Sequence, residues 1–233
     1  MPLKGFRNRL LTAFPESSIR EISPYAEKLT LARGAVLNGA AAPPSYGYFL
    51  DSGLVCLVRV TGEGRTAGVG TFGIEAFTGT SAIFELGPTP YQSVVQIESK
   101  AWRVPIEIMR DIAERDAKTK VLLGRFASYC RAMFLQIAAC NRLHNLRARC
   151  SRSLLTLQDN AEGNNFALPH EFFALLLGTN RTSLSLLLEE FQREKILGKR
   201  DRSIMILNRS ALEQETCECY AVLRAECDRI FHD

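Results

Sequence analysis

Three consecutive pieces, LPHEFFALLLGTN (168–180), RTSLSLLLEEFQREK (181–195) and ILGKRDRSIMIL (196–207), are the most informative part of this chain. Pro169 suits the start of a helix, and Phe173, Leu176 and Leu177 recur at helical spacing. Gly178-Thr179-Asn180 breaks that helix, because Gly and Asn accept the left-handed backbone of a tight turn. From Arg181 a second helix places Leu184, Leu187, Leu188 and Phe191 on one face. The Ala174, Gly178, Leu184 and Leu187 spacing is that of a helix-turn-helix. A small residue sits where the helices cross, a glycine makes the turn, and two leucines hold the second helix inward. Ile196-Leu197-Gly198, the charges Lys199, Arg200, Asp201 and Arg202, and the β-like run Ile204–Leu207 then read as a basic hairpin, a wing.

An ordinary helical hairpin with a solvated basic loop shares the local spacing. Helix, turn, helix and basic hairpin following in order within one stretch favour double-stranded DNA as the partner. Charge distribution agrees. The 233 residues carry 29 Lys+Arg against 25 Asp+Glu, a net charge of only +4. Position therefore matters more than total. Arg142, Arg147, Arg149 and Arg152 precede Arg181, Arg193, Lys195, Lys199, Arg200, Arg202 and Arg209, so the positive charge gathers in the later half. No apolar run approaches the length of a membrane span, and Met1–Phe14 is too short and too charged for a secretion signal. A cytoplasmic protein without membrane partners is expected. Seven scattered cysteines suggest reduced thiols rather than a disulfide framework.

Upstream, Pro15 to Leu31 reads as short helical pieces. From Leu31 to Val104, short apolar runs alternate with glycine turns. Tyr46–Leu50, Leu54–Val60, Tyr91–Ile97 and Ala101–Val104 are rich in β-branched and aromatic residues, the pattern of a sandwich or jelly roll. Ile106 to Ile112 reads as a short helix, and Thr119 to about Leu146 as a long one. Along it Leu123, Phe126, Cys130, Met133, Ile137, Cys140 and His144 alternate by three and four, a coiled-coil seam. Leu122, Ala127, Leu135 and Ala138 lie off that seam, where they could meet the barrel. A helix buried inside one subunit would show the same apolar content. Arg147 to Gln158 forms a further helix, 159–165 a polar loop, Asn208–Glu215 a cap on the wing, and Cys217 to Phe231 a last helix.

Leu168, Glu171, Ala174, Leu177, Gly178, Arg181, Ser183, Leu187, Phe191–Glu194, Ile196 and Ile204–Leu207 together resemble the winged helix-turn-helix of one bacterial family. This is the cyclic-AMP receptor/fumarate-nitrate regulator (CRP/FNR) superfamily of transcription factors. SGLVCLVRVTGEGRT (52–66) looks like that family's central barrel hairpin. The resemblance implies an α+β architecture. A double-stranded β-helix (jelly roll) sensor barrel would occupy 1–115, a dimerisation helix 116–146 and a winged helix-turn-helix 147–233. It implies a homodimer on an inverted-repeat operator, with the seam as subunit interface. It leaves room for RNA polymerase and a small-molecule effector as further partners. Asn180, Arg181, Thr182, Ser185 and Leu186 would read bases, and Lys199, Arg200 and Arg202 would touch phosphate. Arg181 matches the first member of the family's polar trio. Thr182 stands where a Glu is often found, and Leu186 where the cyclic-AMP receptor has an Arg.

The family's cyclic-nucleotide binders use a Glu on the ribose and an Arg on the phosphate. Glu75 matches the first, but the phosphate side falls on Tyr91, Gln92 and Ser93, with no Arg or Lys between Ile74 and Gln96. An uncompensated buried phosphate is costly, so cyclic-nucleotide binding in the family's manner is not expected. Glu75 is then expected at a helix N-terminus or in solvent. Two cysteine sets raise a metal, Cys217-x-Cys219 with Cys227 and Cys140 with His144 and Cys150. Neither has paired C-x2-C spacing, and no Cys precedes Cys56, so neither a metal nor a cofactor is expected. The cysteines, Cys130 and Cys140 on the seam among them, keep a redox- or metal-responsive regulator of the same architecture in view as an alternative. No catalytic triad context, P-loop or zinc-hydrolase motif appears, and His144, His170 and His232 are poorly placed for catalysis, so an enzyme is not expected. A protein-interaction module with an inert barrel is the remaining alternative.

Overall fold

The computed structural model of the chain describes residues 5–39, 43–84, 87, 89–160, 163–200 and 203–232, with backbone only at 199 and 200. Helices α1 (Arg9–Ala13) and α2 (Glu16–Ile22) lead through a 3-10 turn into β1 (Glu27–Leu31). Then come β2 (Val36–Asn38), β3 (Tyr46–Leu50), β4 (Leu54–Val60), β5 (Thr66–Phe72) and β6 (Phe77–Thr78). The short α3 (Thr80–Ile83) precedes β7 (Gln92–Ile97) and β8 (Ser99–Pro105). These strands form two antiparallel sheets, ordered β1-β8-β3-β6 and β2-β7-β4-β5. Their inner faces share one core, built around Phe49, Val55, Leu57, Phe72 and Phe77. The expected jelly-roll sandwich is present. The glycine-tipped turn joins β4 to β5, with Gly64 at φ +77 as a left-handed turn residue.

The N-terminal segment is stitched to this sandwich by polar contacts. Asn8 caps α1 by accepting from the Leu11 N–H, while its Nδ2 donates to the carbonyls of Leu50 and Ala76. Asp51 accepts from the backbone N–H of Arg7 and Asn8 and from Trp102 Nε1. Both side chains are almost fully buried, and every one of these bonds replaces water.

The run LVCLVRV explains how the two halves of the molecule meet. Successive strand residues point to opposite faces. Val55 and Leu57 of β4 enter the barrel core, while Leu54, Cys56 and Val58 join a second cluster with Leu168, Phe173 and Leu176. This sheet is covered on both faces, which is why its central strand lacks polar alternation. Contact is close enough that a Cβ on Gly68 would fall 2.8 Å from the Cα of Leu176.

After α4 (Ile106–Arg115) comes α5 (Ala117–Leu143). Asp116 caps α5 by accepting from the N–H groups of Lys118 and Thr119, and it also accepts from Ser18 Oγ. The Thr119 bond first, then the others, holds its carboxyl below the usual range. The structure corrects the expected subunit seam. Leu123, Phe126, Cys130, Met133, Ile137 and Cys140 are buried within their own subunit. Phe126 packs on Phe72 with ring centroids 5.6 Å apart, and Met133 Cε occupies the space a Gly70 Cβ would take. The opposite side of α5 is the open one. Val121, Leu135 and Leu143 stand 52%, 68% and 75% exposed. Leu135 and Ala138, which the sequence suggested for the barrel side, face outward. The physical reason is that both faces of this helix carry apolar side chains, so periodicity alone does not orient it.

The remaining elements are α6 (Leu146–Asn160), β9 (Asn165–Phe166), α7 (His170–Leu177), α8 (Arg181–Arg193), β10 (Leu197–Arg200), β11 (Ser203–Ile206), α9 (Arg209–Glu215) and α10 (Cys219–Asp228). Strands β10, β11 and β9 form a small antiparallel sheet. α10 runs back to α5, and Leu223, Cys227 and Ile230 enter the barrel core. Among the described residues, no helix is long and apolar enough to cross a membrane.

Candidate nucleic-acid interface

The α7–α8 corner is built as its residues require. Gly178 closes α7 with φ +61, and the Thr179 N–H reaches back to the Ala174 carbonyl. Asn180 caps α8, its Oδ1 accepting from the Ser183 N–H at 2.8 Å. Leu184, Leu187, Leu188 and Phe191 are buried, and they fix α8 against α7 and the wing sheet. Its other side carries Arg181, Thr182 and Leu186 in the open, Leu186 at 58% exposure. A helix that shows a guanidinium, a hydroxyl and an isobutyl group on one edge matches the donor, acceptor and methyl pattern of a major groove.

Two of the expected base readers have prior engagements. The Asn180 carboxamide oxygen is committed to capping, so this residue sets the start of α8 as well as standing on its edge. Ser185 is half-buried, with Oγ 3.2 Å from His170 Nδ1. Arg181 pairs with Glu171 at 2.8 Å, yet both side chains are about two-thirds exposed, so the pair holds it weakly. A cleft of about 560 Å³ opens beside these residues, between α7, α8, Ser203 of β11 and Arg33 of the barrel. The expected phosphate contacts fall outside what is described: Arg202 entirely, Lys199 and Arg200 in their side chains.

Part of the late cluster of basic residues is internal. Arg147 bonds Glu215 and Glu194 and lies 4.6 Å over the Phe191 ring. Arg209 joins Asp159, Glu213 and the Tyr220 hydroxyl. Arg152 is 3% exposed. Arg147 and Arg209 thus tie α6, α8 and α9 together through their acids, whereas Arg152 is buried with Nε and Nη2 lacking a hydrogen-bond partner among the described residues.

The ligand candidates of the barrel scatter. Glu75 is fully buried, not solvated or at the N-terminus of a helix as expected, and both its carboxylate oxygens accept from the Gly73 N–H. Desolvation pushes its pKa up, against partial opposition from these bonds and from Arg9. Tyr91 stacks at 5.4 Å on Phe134 of α5, Gln92 is half-buried, and the buried Ser93 Oγ has no hydrogen-bond partner. α5 closes over this side of the barrel. The cysteine expectations also change. Cys130 and Cys140 are buried among side chains of their own chain, where the sequence predicts a subunit seam. Cys150 sits in the second core and Cys227 in the first, apart from the residues grouped with them by sequence.

A cyclic nucleotide-binding domain family matches residues 28–116, and a Crp-like helix-turn-helix domain family matches residues 148–215. No curated protein matches the chain. Among solved structures, FixK2 from Bradyrhizobium japonicum superimposes with TM-score 0.72 at 16% identity, over 82% of this chain and 98% of that one. A CRP-family transcriptional regulator from Thermus thermophilus gives 0.67 at 22% identity, over 80% and 95%. The c-di-GMP responsive global regulator CLP from Xanthomonas campestris gives 0.64 at 17% identity, over 82% and 99%. At these identities the structures speak for the fold, and the two family matches speak for the lineage. Matched in that order along a single chain, they make this protein a member of the CRP/FNR superfamily of bacterial transcription regulators.

Proposed function

We propose that the protein is a homodimeric, sequence-specific regulator that reads an inverted-repeat operator with α8 in the major groove. The observation that carries this is the division of α8. Four large apolar side chains anchor it, and Arg181, Thr182 and Leu186 remain open on the edge beyond the turn. Dimerisation through the outer face of α5 would set two such edges about 34 Å apart, one turn of DNA. Val121, Leu135 and Leu143 supply apolar contact there, and Gly124, Ser128, Ala132 and Ala139 between them let two helices approach. Arg181 is suited to a guanine, and Leu186 to a thymine methyl, so the half-site differs from that of a regulator with Glu and Arg at those places.

We read the barrel as not taking cyclic nucleotides in the family's manner. Glu75 is buried and bonded to its own loop, and no cation stands near Tyr91, Gln92 and Ser93 in the sequence. Selection of binding sites from a random duplex pool tests the main reading. An enriched palindrome supports it, and recovery of unrelated sequences at equal affinity refutes it. Thermal melting with cyclic AMP tests the second. A ligand at a hundred times its Kd adds about 2.7 kcal/mol, so a clear rise in Tm would overturn it.

A further inference from the structure

Four donor side chains from distant parts of the sequence meet where α5 gives way to α6. Cys140 lies in the last turn of α5 and His144 caps that helix four residues on, while Cys217 lies in the turn after α9 and Cys219 opens α10, with Glu218 between them. Cys140 Sγ is 3.6 Å from Cys217 Sγ, and Cys219 Sγ is 3.6 Å from His144 Nδ1. All four donor atoms lie within 4.8 Å of one another. The three cysteines are buried and form a cluster separate from both main cores, with Ala148 packed against it.

The geometry points to a mononuclear zinc site with Cys140, His144, Cys217 and Cys219 as its ligands. Distances are the first support. Zn–S bonds of about 2.3 Å in a tetrahedron put sulfurs ~3.8 Å apart, and a sulfur and an imidazole nitrogen ~3.6 Å apart. The two closest pairs here, both at 3.6 Å, are near those separations. Donor chemistry is the second. Three thiols and one imidazole are the Cys3His set of closed structural zinc sites, and four donors this close together cannot span a multi-iron cluster. The surroundings of the ligands are the third. His144 Nε2 faces Glu218 Oε2 at 3.1 Å, which turns Nδ1 toward the sulfurs, as a carboxylate does behind a metal-bound histidine. Gln136 Nε2 lies 3.0 Å from Cys219 Sγ, a donor placed to support a thiolate. Binding exchanges three S–H bonds for three Zn–S bonds. Up to three protons leave to solvent, and no electrons move.

The place matters. His144 is where α5 ends in extended backbone, with α6 starting at Leu146. A metal here joins the end of α5 to the turn that launches α10, and so fixes the corner between the barrel helix and the helix-turn-helix unit. Cys217 and Cys219 lie beyond the 148–215 helix-turn-helix match, and Cys140 and His144 before it. The inference stands apart from how DNA is read.

The test uses the full-length protein, reduced, dialysed against zinc chloride and then against metal-free buffer. Elemental analysis should find one zinc per chain. Cobalt(II) in place of zinc should give the intense d–d bands of a tetrahedral ion together with thiolate-to-cobalt charge transfer. Cys219→Ser and Cys140→Ser should lose the retained metal, while Cys150→Ala, outside the cluster, should keep it. If a variant misfolds, the cobalt spectrum of the unaltered protein still decides. Retention of no zinc, a weak octahedral cobalt spectrum, or undiminished zinc in the Cys140→Ser/Cys219→Ser double variant would each overturn the assignment.

Discussion

Helices α5 and α8 both repeat large apolar residues by threes and fours, yet only α8 carries a mark of which way it faces. Opposite its leucines it has Arg181, Thr182, Glu189, Glu190 and Arg193. α5 sets Leu123, Phe126, Met133 and Ile137 against the barrel, and it also sets Val121, Leu135 and Leu143 outside. A hydrophobic repeat locates a stripe. Contrast with a polar side orients it. Where that contrast is missing, only the packing partner decides, and here the partner is a barrel assembled from strands far away in sequence.

Substitutions that tell the faces apart differ widely in size. Ile137→Asp should have the largest effect, because it places an unpaired charge in the barrel core at a cost of about 3–5 kcal/mol. Chemical denaturation should show that loss against a typical total stability of about 5–15 kcal/mol. A variant of ordinary stability that has merely become monomeric would put the old seam back at the subunit interface. Leu135→Asp comes next. Its 68% exposure predicts a change in subunit stability within about 0.5 kcal/mol, while sedimentation should show dimers lost. An unchanged dimer would move the interface off this face of α5.

On α8, Arg181→Ala should cost about 1–3 kcal/mol of operator affinity and relax preference at one symmetric base pair. The Tm should hardly move, since the exposed pair with Glu171 is worth about 0–1 kcal/mol. Equal loss on every sequence would make Arg181 a phosphate contact instead.

The last contrast lies beneath the inner face of α5, at Glu75. Its folded pKa is raised by burial, so the folded state binds the proton more tightly than the unfolded chain. Stability is therefore full below the unfolded pKa and falls as pH rises toward the folded one. Glu75→Gln keeps an acceptor for the Gly73 N–H and should remove that fall. Urea titrations from about pH 4 to pH 8 would check it. Parallel curves for the two proteins would mean that Glu75 stays ionised in the fold.

What could be read from residues alone was what is local. Gly178 announces a turn by its own chemistry and takes it up at φ +61, whereas Asn180, read beside it as a left-handed turn residue, stands extended at φ −91 and caps α8 instead. The unbroken apolar run of β4 announced a strand, though not the cover on its outer side. Arg147 and Arg209 looked like surface charge because Glu194, Glu215 and Asp159 are brought to them by tertiary folding. The sulfur and imidazole cluster was hidden for the same reason. Its halves, Cys140 with His144 and Cys217 with Cys219, were visible separately and were each assigned a wrong third member.

Because β4 belongs to two cores at once, the sheet acts as a party wall and the halves of the molecule are not separable lodgers. A fragment cut after the barrel would present Leu54, Cys56 and Val58 to water as an adhesive patch, and would tend to self-associate. Heat should take both halves together, in one cooperative melt. In regulation, any signal that swings the reading head must first peel it from that wall, so the apolar seal of β4 sets the threshold a signal has to exceed.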